Sequence, residues 1–189
     1  MFSTKNPGLL IIDAQQAIDH FSEFERNNPY AEAVMAELLG AWRSQALPVI
    51  HVRHASKFVA SPYHRDSGVF GFKPEVQPLA HETQITKQEN SAFLGTELAD
   101  FLNSSGIGEL VVCGFVTNNS VDATVRVAAG LGFEVFVAAD ATATFGMALL
   151  NGGVASAETV QELFLSNLKG EYCQVCDAAQ LVNGVADLR

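Results

Sequence analysis

The chain is short of charge, and most of the charge it has is of one sign. Only 17% of its 189 residues are Asp, Glu, Lys or Arg, against about 25% in an ordinary soluble chain. The 11 basic side chains are outnumbered by 21 acidic ones, which leaves a formal charge of −10. Sequence-independent binding to nucleic acid needs clustered Lys and Arg to neutralise phosphates, so the balance argues against it. Attraction to an anionic membrane surface is disfavoured for the same reason. Cysteine is scarce as well. Cys113, Cys173 and Cys176 are too few and odd in number for a disulfide scaffold, and they suit a reducing compartment. No apolar run nears the roughly 20 residues that cross a bilayer. The opening residues MFSTKNPGLL lack the basic-then-apolar pattern of a secretory leader. These absences lead us to expect a cytoplasmic protein. Repeats, linkers and low-complexity tracts are also missing, so a single domain over 1–189 is expected.

Apolar residues make up 48% of the chain, enough for a full core. With so few charges outside it, part of the surface is expected to lie against a second copy, in a dimer or larger homo-oligomer. Short β-type runs at 8–13, 47–52, 82–87, 109–115, 133–138 and 171–175 alternate with helical patterns at 29–45, 95–104, 120–131 and 155–169. The β runs are almost wholly apolar (LLII, LPVIHV, ELVVCGF, FEVFVAA), as parallel strands covered on both faces require. The alternation predicts an α/β fold of three layers around a six-stranded, mostly parallel sheet. Residues 55–80 carry three of the six prolines without periodicity, and a loop of that length in a compact domain is usually functional or packed on another subunit.

Ligands of open α/β sheets bind beyond the carboxyl ends of the strands. Those ends hold Asp13, His54, Lys87, the segment Thr117 to Ser120, and Asp140. Read blandly, such residues cap helices and solvate turns; read functionally, an acid, a lysine and a hydroxyl converge on one crevice. IIDAQQ lacks the glycines that bring a backbone up to a pyrophosphate, which disfavours a dinucleotide site. It also lacks the second Asp two residues on that an aspartyl-phosphate phosphatase uses. A receiver-like domain would be shorter and would carry paired acids early. No cofactor is expected. Nor is a metal: His51 and His54 point to opposite faces of a strand, and His64 and His81 have no carboxylate at ligand spacing. Cys173 and Cys176 form a lone C-x-x-C after a strand, without the second half of a tetrahedral site. They read as buried thiols.

Residues 113–126, CGFVTNNSVDATVR, followed by VAAGLGFEVFVAADATATF, resemble the signature of the isochorismatase-like hydrolases, the cysteine hydrolase superfamily. LLIIDAQQ resembles that family's first strand with its catalytic Asp, here Asp13. ITKQENSAFLGTELADFL resembles the segment with its catalytic Lys, here Lys87, followed by Phe93 and Thr96; AGLGFEVFVAADATATF ends on the family's Asp-Ala, here Asp140 and Ala141. The resemblance implies a Rossmann-like α/β/α hydrolase fold and a reaction centre of Asp, Lys and Cys. It also implies a cis peptide bond before the Thr, which would be Val116–Thr117, beside an oxyanion site.

The family pattern G-x-x-T-x-x-C-V reads here as Gly114, Phe115, Val116, Thr117, Asn118, Asn119, Ser120 and Val121. A serine thus stands where the resemblance puts the nucleophilic thiol. A thiolate is within reach of a helix N-terminus, whereas an alkoxide needs a base hydrogen-bonded to it; Ser is also a good helix N-cap. Three origins of the serine stay open: a deliberate replacement in a thiol hydrolase, a natural non-thiol member, or a silent protein that keeps the pocket for binding. The family's vinyl-ether hydrolases use the Asp without a nucleophilic Cys, so the second origin still implies an enzyme. Nicotinamidases of the family carry D-x-H after the second strand, where this chain reads HVRHASKF. For the pocket we expect walls from the aromatics Phe21, Phe24, Tyr63, Phe70 and Phe72 and from His54, with Arg53, His54 and Lys57 as contacts for an anionic group. The expected partner is a small polar, carboxylate-bearing amide or ether.

Overall fold

The computed structural model describes residues 1–188. The chain runs β1 (Gly8–Ile12), α1 (Ala31–Ser44), β2 (Val49–His54), β3 (Thr83–Lys87), α2 (Leu98–Ser104), β4 (Glu109–Phe115), α3 (Asp122–Gly130), β5 (Glu134–Ala143), β6 (Met147–Ala148), β7 (Val154–Ala155), α4 (Ala157–Leu168), β8 (Gln174–Cys176) and α5 (Ala178–Ala186). Six strands form one sheet in the order β3-β2-β1-β4-β5-β8, every pairing parallel. β6 and β7 make a separate antiparallel hairpin.

Successive side chains of a strand face opposite sides, so β1 feeds two cores. Leu9 and Ile11 pack with α1 and α5 beside Met35, Leu38, Trp42 and Leu181. Leu10 and Ile12 pack with α2, α3 and α4 beside Leu98, Leu102, Val125 and Leu165. This double burial is why the strands are apolar throughout, and it yields the three-layer α/β/α architecture. α1 buries Ala31, Met35, Leu38, Leu39 and Trp42, a stripe at helical spacing. It begins at Ala31 rather than at Pro29 because Asn28 is tied elsewhere. The Asn28 side-chain amide donates to the carbonyls of Ala139 (3.0 Å) and Thr142 (2.6 Å) on β5.

Two further departures matter for the site. The helix expected from Ser120 begins at Asp122, after a wide π turn over Thr117–Val121. And β4 bulges against β5 between Val112 and Gly114. Gly114 has φ +117°, and a Cβ there would sit 2.0 Å from the Ile12 carbonyl oxygen, so only glycine lets β4 lie so close to β1. The 178–186 helix and the 147–155 hairpin were not anticipated from periodicity.

Candidate active site

β1, β2 and β3 step to one side of the sheet, whereas β4, β5 and β8 step to the other. The switch point therefore lies between β1 and β4, and a crevice is expected past their carboxyl ends. Asp13 follows β1 there. Its φ of +50° is left-handed, a region in which Asp and Asn are the tolerated non-glycine residues. Its backbone N–H donates to the Val52 carbonyl (2.9 Å). The carboxylate Oδ2 accepts from Lys87 Nζ at 2.7 Å, whereas Oδ1 is buried with no hydrogen-bond partner among the described residues.

Lys87 ends β3 and reaches back under the crevice, 1% exposed. Its ammonium has three protons and three acceptors: Asp13 Oδ2, the Glu89 carbonyl at 3.2 Å and Ser120 Oγ at 3.1 Å. Every Nζ proton is thus committed to a hydrogen bond. Ser120 sits in the π turn after β4, so the structure brings Asp13, Lys87 and Ser120 within hydrogen-bond reach through one nitrogen. Ser120 Oγ accepts from Lys87, and no carboxylate among the described residues is bonded to its hydroxyl.

Asp13 and Ser120 line a cavity of about 80 Å³ together with Phe21, His54, Tyr63, Asn90, Phe115, Val116 and Asn119. Gln15 clamps one wall: its Oε1 accepts from the His54 N–H (2.8 Å), and its Nε2 donates to the carbonyls of His54 (3.2 Å) and Phe70 (2.9 Å). The His54 pKa is pushed below the ordinary value by burial first and then by the Lys87 charge, against the opposing pull of Asp13 and Glu89. Its imidazole is therefore neutral near pH 7, and Nδ1 has no partner among the described residues. The Tyr63 phenol is pushed well up by burial, with smaller contributions from Asp13 and Asp19, so it stays protonated. Its ring meets those of Phe21 and His54 edge-on at 5.8 Å.

Other expected site residues fall elsewhere. Phe72 is 5% exposed and packs on His51 and Arg53, so it does not line the cavity. Arg53 follows it: it points to the other face of β2 from His54, over Phe70 at 5.1 Å. Lys57 is paired with Glu89 at 2.6 Å in the open. Thr117 is fully buried, donating to Gln161 Oε1 at 2.6 Å, and so braces the turn from behind. The cis peptide bond is Phe115–Val116, one residue earlier than expected, because β4 runs on through Phe115 and Val116 is the extended residue before the turn. Asp140 Oδ1 accepts from the Ala178 N–H (2.8 Å) and so anchors α5. Sequence reasoning missed Gln15 and Asn90. Gln15 lies two residues after a strand-end acid, which was the available signal; Asn90 is an ordinary loop residue in sequence.

Comparison with known proteins gives the family and the fold. The isochorismatase domain family matches residues 7–180. A crystal structure of an isochorismatase-family protein from Chromobacterium violaceum superposes with a TM-score of 0.95 at 47% identity, over 98% of this chain and 96% of that one. An isochorismatase family protein of Bacillus subtilis, YrdC, is 36% identical over 175 residues, 93% of this chain and 94% of that protein. Nicotinamidase 3 of Arabidopsis thaliana is 28% identical over 197 residues, 95% of this chain and 88% of that protein.

Proposed function

The chain belongs to the isochorismatase family of hydrolases, and from that premise we propose that it hydrolyses the amide C–N or vinyl-ether bond of a small polar substrate at Asp13, Lys87 and Ser120. The observation that carries this reading is the Asp13 carboxylate itself. One oxygen is held by a fully committed lysine, and the other has no partner beside a cavity at the sheet's switch point. A buried acceptor left unpaired costs roughly 1–3 kcal/mol, an expense that a proton-transfer role explains.

For an amide, Asp13 Oδ1 takes a proton from an attacking water as its oxygen bonds to the carbonyl carbon. The same proton passes to the leaving nitrogen as the C–N bond breaks, giving acid and amine and restoring the carboxylate. For a vinyl ether, a protonated Asp13 would give its proton to the alkene carbon and regain one from the water that adds to the resulting oxocarbenium carbon. The hemiketal then collapses, its hydroxyl proton passing through Asp13 to the leaving oxygen as the ether C–O bond breaks, giving ketone and alcohol. Lys87 holds the carboxylate in place and stabilises its charge. Donors for the negative charge that develops on an amide carbonyl oxygen would come from the backbone N–H groups of the turn that follows Val116. Ser120 orients the lysine and the substrate. Water, not Ser120, attacks in this reading, because Ser120 Oγ accepts from Lys87 and has no base bonded to it.

The test is a kinetic screen of the protein against small amides and isochorismate. Turnover of at least one compound, lost on Asp13→Asn substitution, is expected. A folded protein inert to the whole panel would leave a non-catalytic binding role instead.

A further inference from the structure

Beside the catalytic cavity lies a second one, of about 180 Å³. Phe21, Val116 and Asn119 line both. The second is completed chiefly by Asn118, Phe145 and Met147, and none of its lining side chains is charged. Part of its polar lining is already occupied within the protein, at Asn118 Oδ1, at Thr144 and at the Gly146 N–H. Asn118 Oδ1 accepts from the Thr144 hydroxyl, and Asn27 Oδ1 accepts from the Thr144 N–H at 2.7 Å. The Gly146 N–H donates to the Glu25 carbonyl at 3.1 Å, strapping the exit of β5 to the segment before α1. What remains for a ligand is mostly the apolar surface of Phe21, Val116, Phe145 and Met147.

Size divides the two cavities by role. An apolar cavity of about 150 Å³ accommodates benzene. The catalytic cavity, at about 80 Å³, is too small to enclose a ring and suits a head group of a few atoms, whereas its neighbour is large enough for a ring. Together they approach the roughly 300 Å³ at which ordinary ligand sites begin. The cations that could have held a carboxylate are turned away or paired, Arg53 on Phe70 and Lys57 on Glu89.

We propose that the second cavity is the subsite for an uncharged, apolar portion of the substrate about the size of a phenyl ring or a short alkyl chain, with the polar head at Asp13. This rests on the hydrolytic reading of the site and replaces the carboxylate-bearing substrate expected from sequence.

The experiment measures binding, by NMR titration of the Asp13→Asn protein, of acetamide, butanamide, hexanamide, 3-phenylpropanamide and the carboxylate-bearing succinamate. Each methylene buried contributes about a fourfold gain in affinity. Hexanamide and 3-phenylpropanamide are expected to bind at least tenfold tighter than acetamide, with no such gain for succinamate. Met147→Trp, a substitution at a side chain 39% exposed, fills the subsite and is expected to erase the gain while leaving acetamide unchanged. Met147→Ala enlarges it and moves the preferred tail to a longer chain. Equal affinity along the series, an equal gain for succinamate, or a gain untouched by both variants overturns the subsite alone. Failure of every amide to bind overturns the subsite and the amide reading together.

Discussion

At the scale of single residues, the chemistry depends on which atoms already have partners. Lys87 donates to Asp13 and Ser120, so the position-120 side chain lives beside a cation at 3.1 Å. A thiol placed there would be drawn toward the thiolate. The three native cysteines behave in the opposite way. Burial pushes the Cys113 thiol up, burial and then Cys176 push Cys173 up to about 12, and burial and then Asp177 push Cys176 up. We predict that Ser120→Cys is alkylated by iodoacetamide at least about tenfold faster than any native cysteine, as read by peptide mass spectrometry. Preferential labelling of Cys173 or Cys176 would contradict the electrostatics assigned to the site. Asp13 was legible in the sequence because it follows an apolar strand, where a polar residue stands out. Lys87 ends the mostly polar β3 and Ser120 lies five residues past β4, so the family resemblance marked them. Asn90 was not marked in this way, since an amide in a loop carries no pattern. Phe72 misled because its neighbours in sequence say nothing of which face of the sheet it covers.

Among elements, the close approach of β4 to β1 sets the geometry of the turn that holds Ser120. Gly114→Ala puts a methyl group into the Ile12 backbone at a φ that alanine avoids. We predict a loss of at least about 4 kcal/mol in urea unfolding, among the largest effects a single substitution produces; a loss below 1 kcal/mol would contradict the packing described. A second device ties α1, β2 and the residue before β3 at the sheet edge. Glu82 accepts two bonds from Arg43 (2.7 and 2.8 Å), one from the Leu79 N–H (2.8 Å) and one shared with His51 Nε2 (2.9 Å). Burial alone would raise its pKa, but the bonds from Arg43, Leu79 and His51 together hold it down, to about 2.

Because the folded value lies below the ordinary 4.5, the stabilisation from Glu82 is complete above about pH 4.5 and fades as pH falls toward 2. Glu82→Gln is expected to cost about 2 kcal/mol at pH 7. The gap from the parent protein should narrow below pH 4.5 in urea titrations; a gap constant with pH would contradict the assignment. At this scale, the six strands and four of the five helices were legible from periodicity. α5 escaped because Asn183 and Gly184 interrupt a segment of only nine residues. Its signal was the Asp177–Gln180 pair, in which the Asp177 N–H donates to Gln180 Oε1 at 3.0 Å. The wide turn at Thr117–Val121 has no signature in propensity, since it follows from where β4 must stop.

On the scale of the whole molecule, charge is scarce and sizeable apolar side chains stay exposed. Phe58 and Val59 are 79% and 80% exposed, and Leu150 and Val154 stand out on the β6–β7 hairpin. We propose that the chain assembles as a dimer or larger homo-oligomer, and light scattering is expected to give at least twice 20.2 kDa; a species of only 20.2 kDa at micromolar concentration would refute it. No helix among the described residues is long and apolar enough to cross a membrane. The fold brings the residues after β1 and β4 to one switch point, where the Lys87 side chain reaches them from the end of β3, and we propose that the proton of hydrolysis passes through Asp13 there. The direct measurement compares kcat/KM of Asp13→Asn and Ser120→Ala on one substrate of the wild-type protein. Asparagine keeps both the shape and the left-handed backbone at position 13, so the fold should survive. A loss of about 10³ or more is expected for Asp13→Asn and of no more than about tenfold for Ser120→Ala. Equal losses, or a larger loss at Ser120, would contradict it.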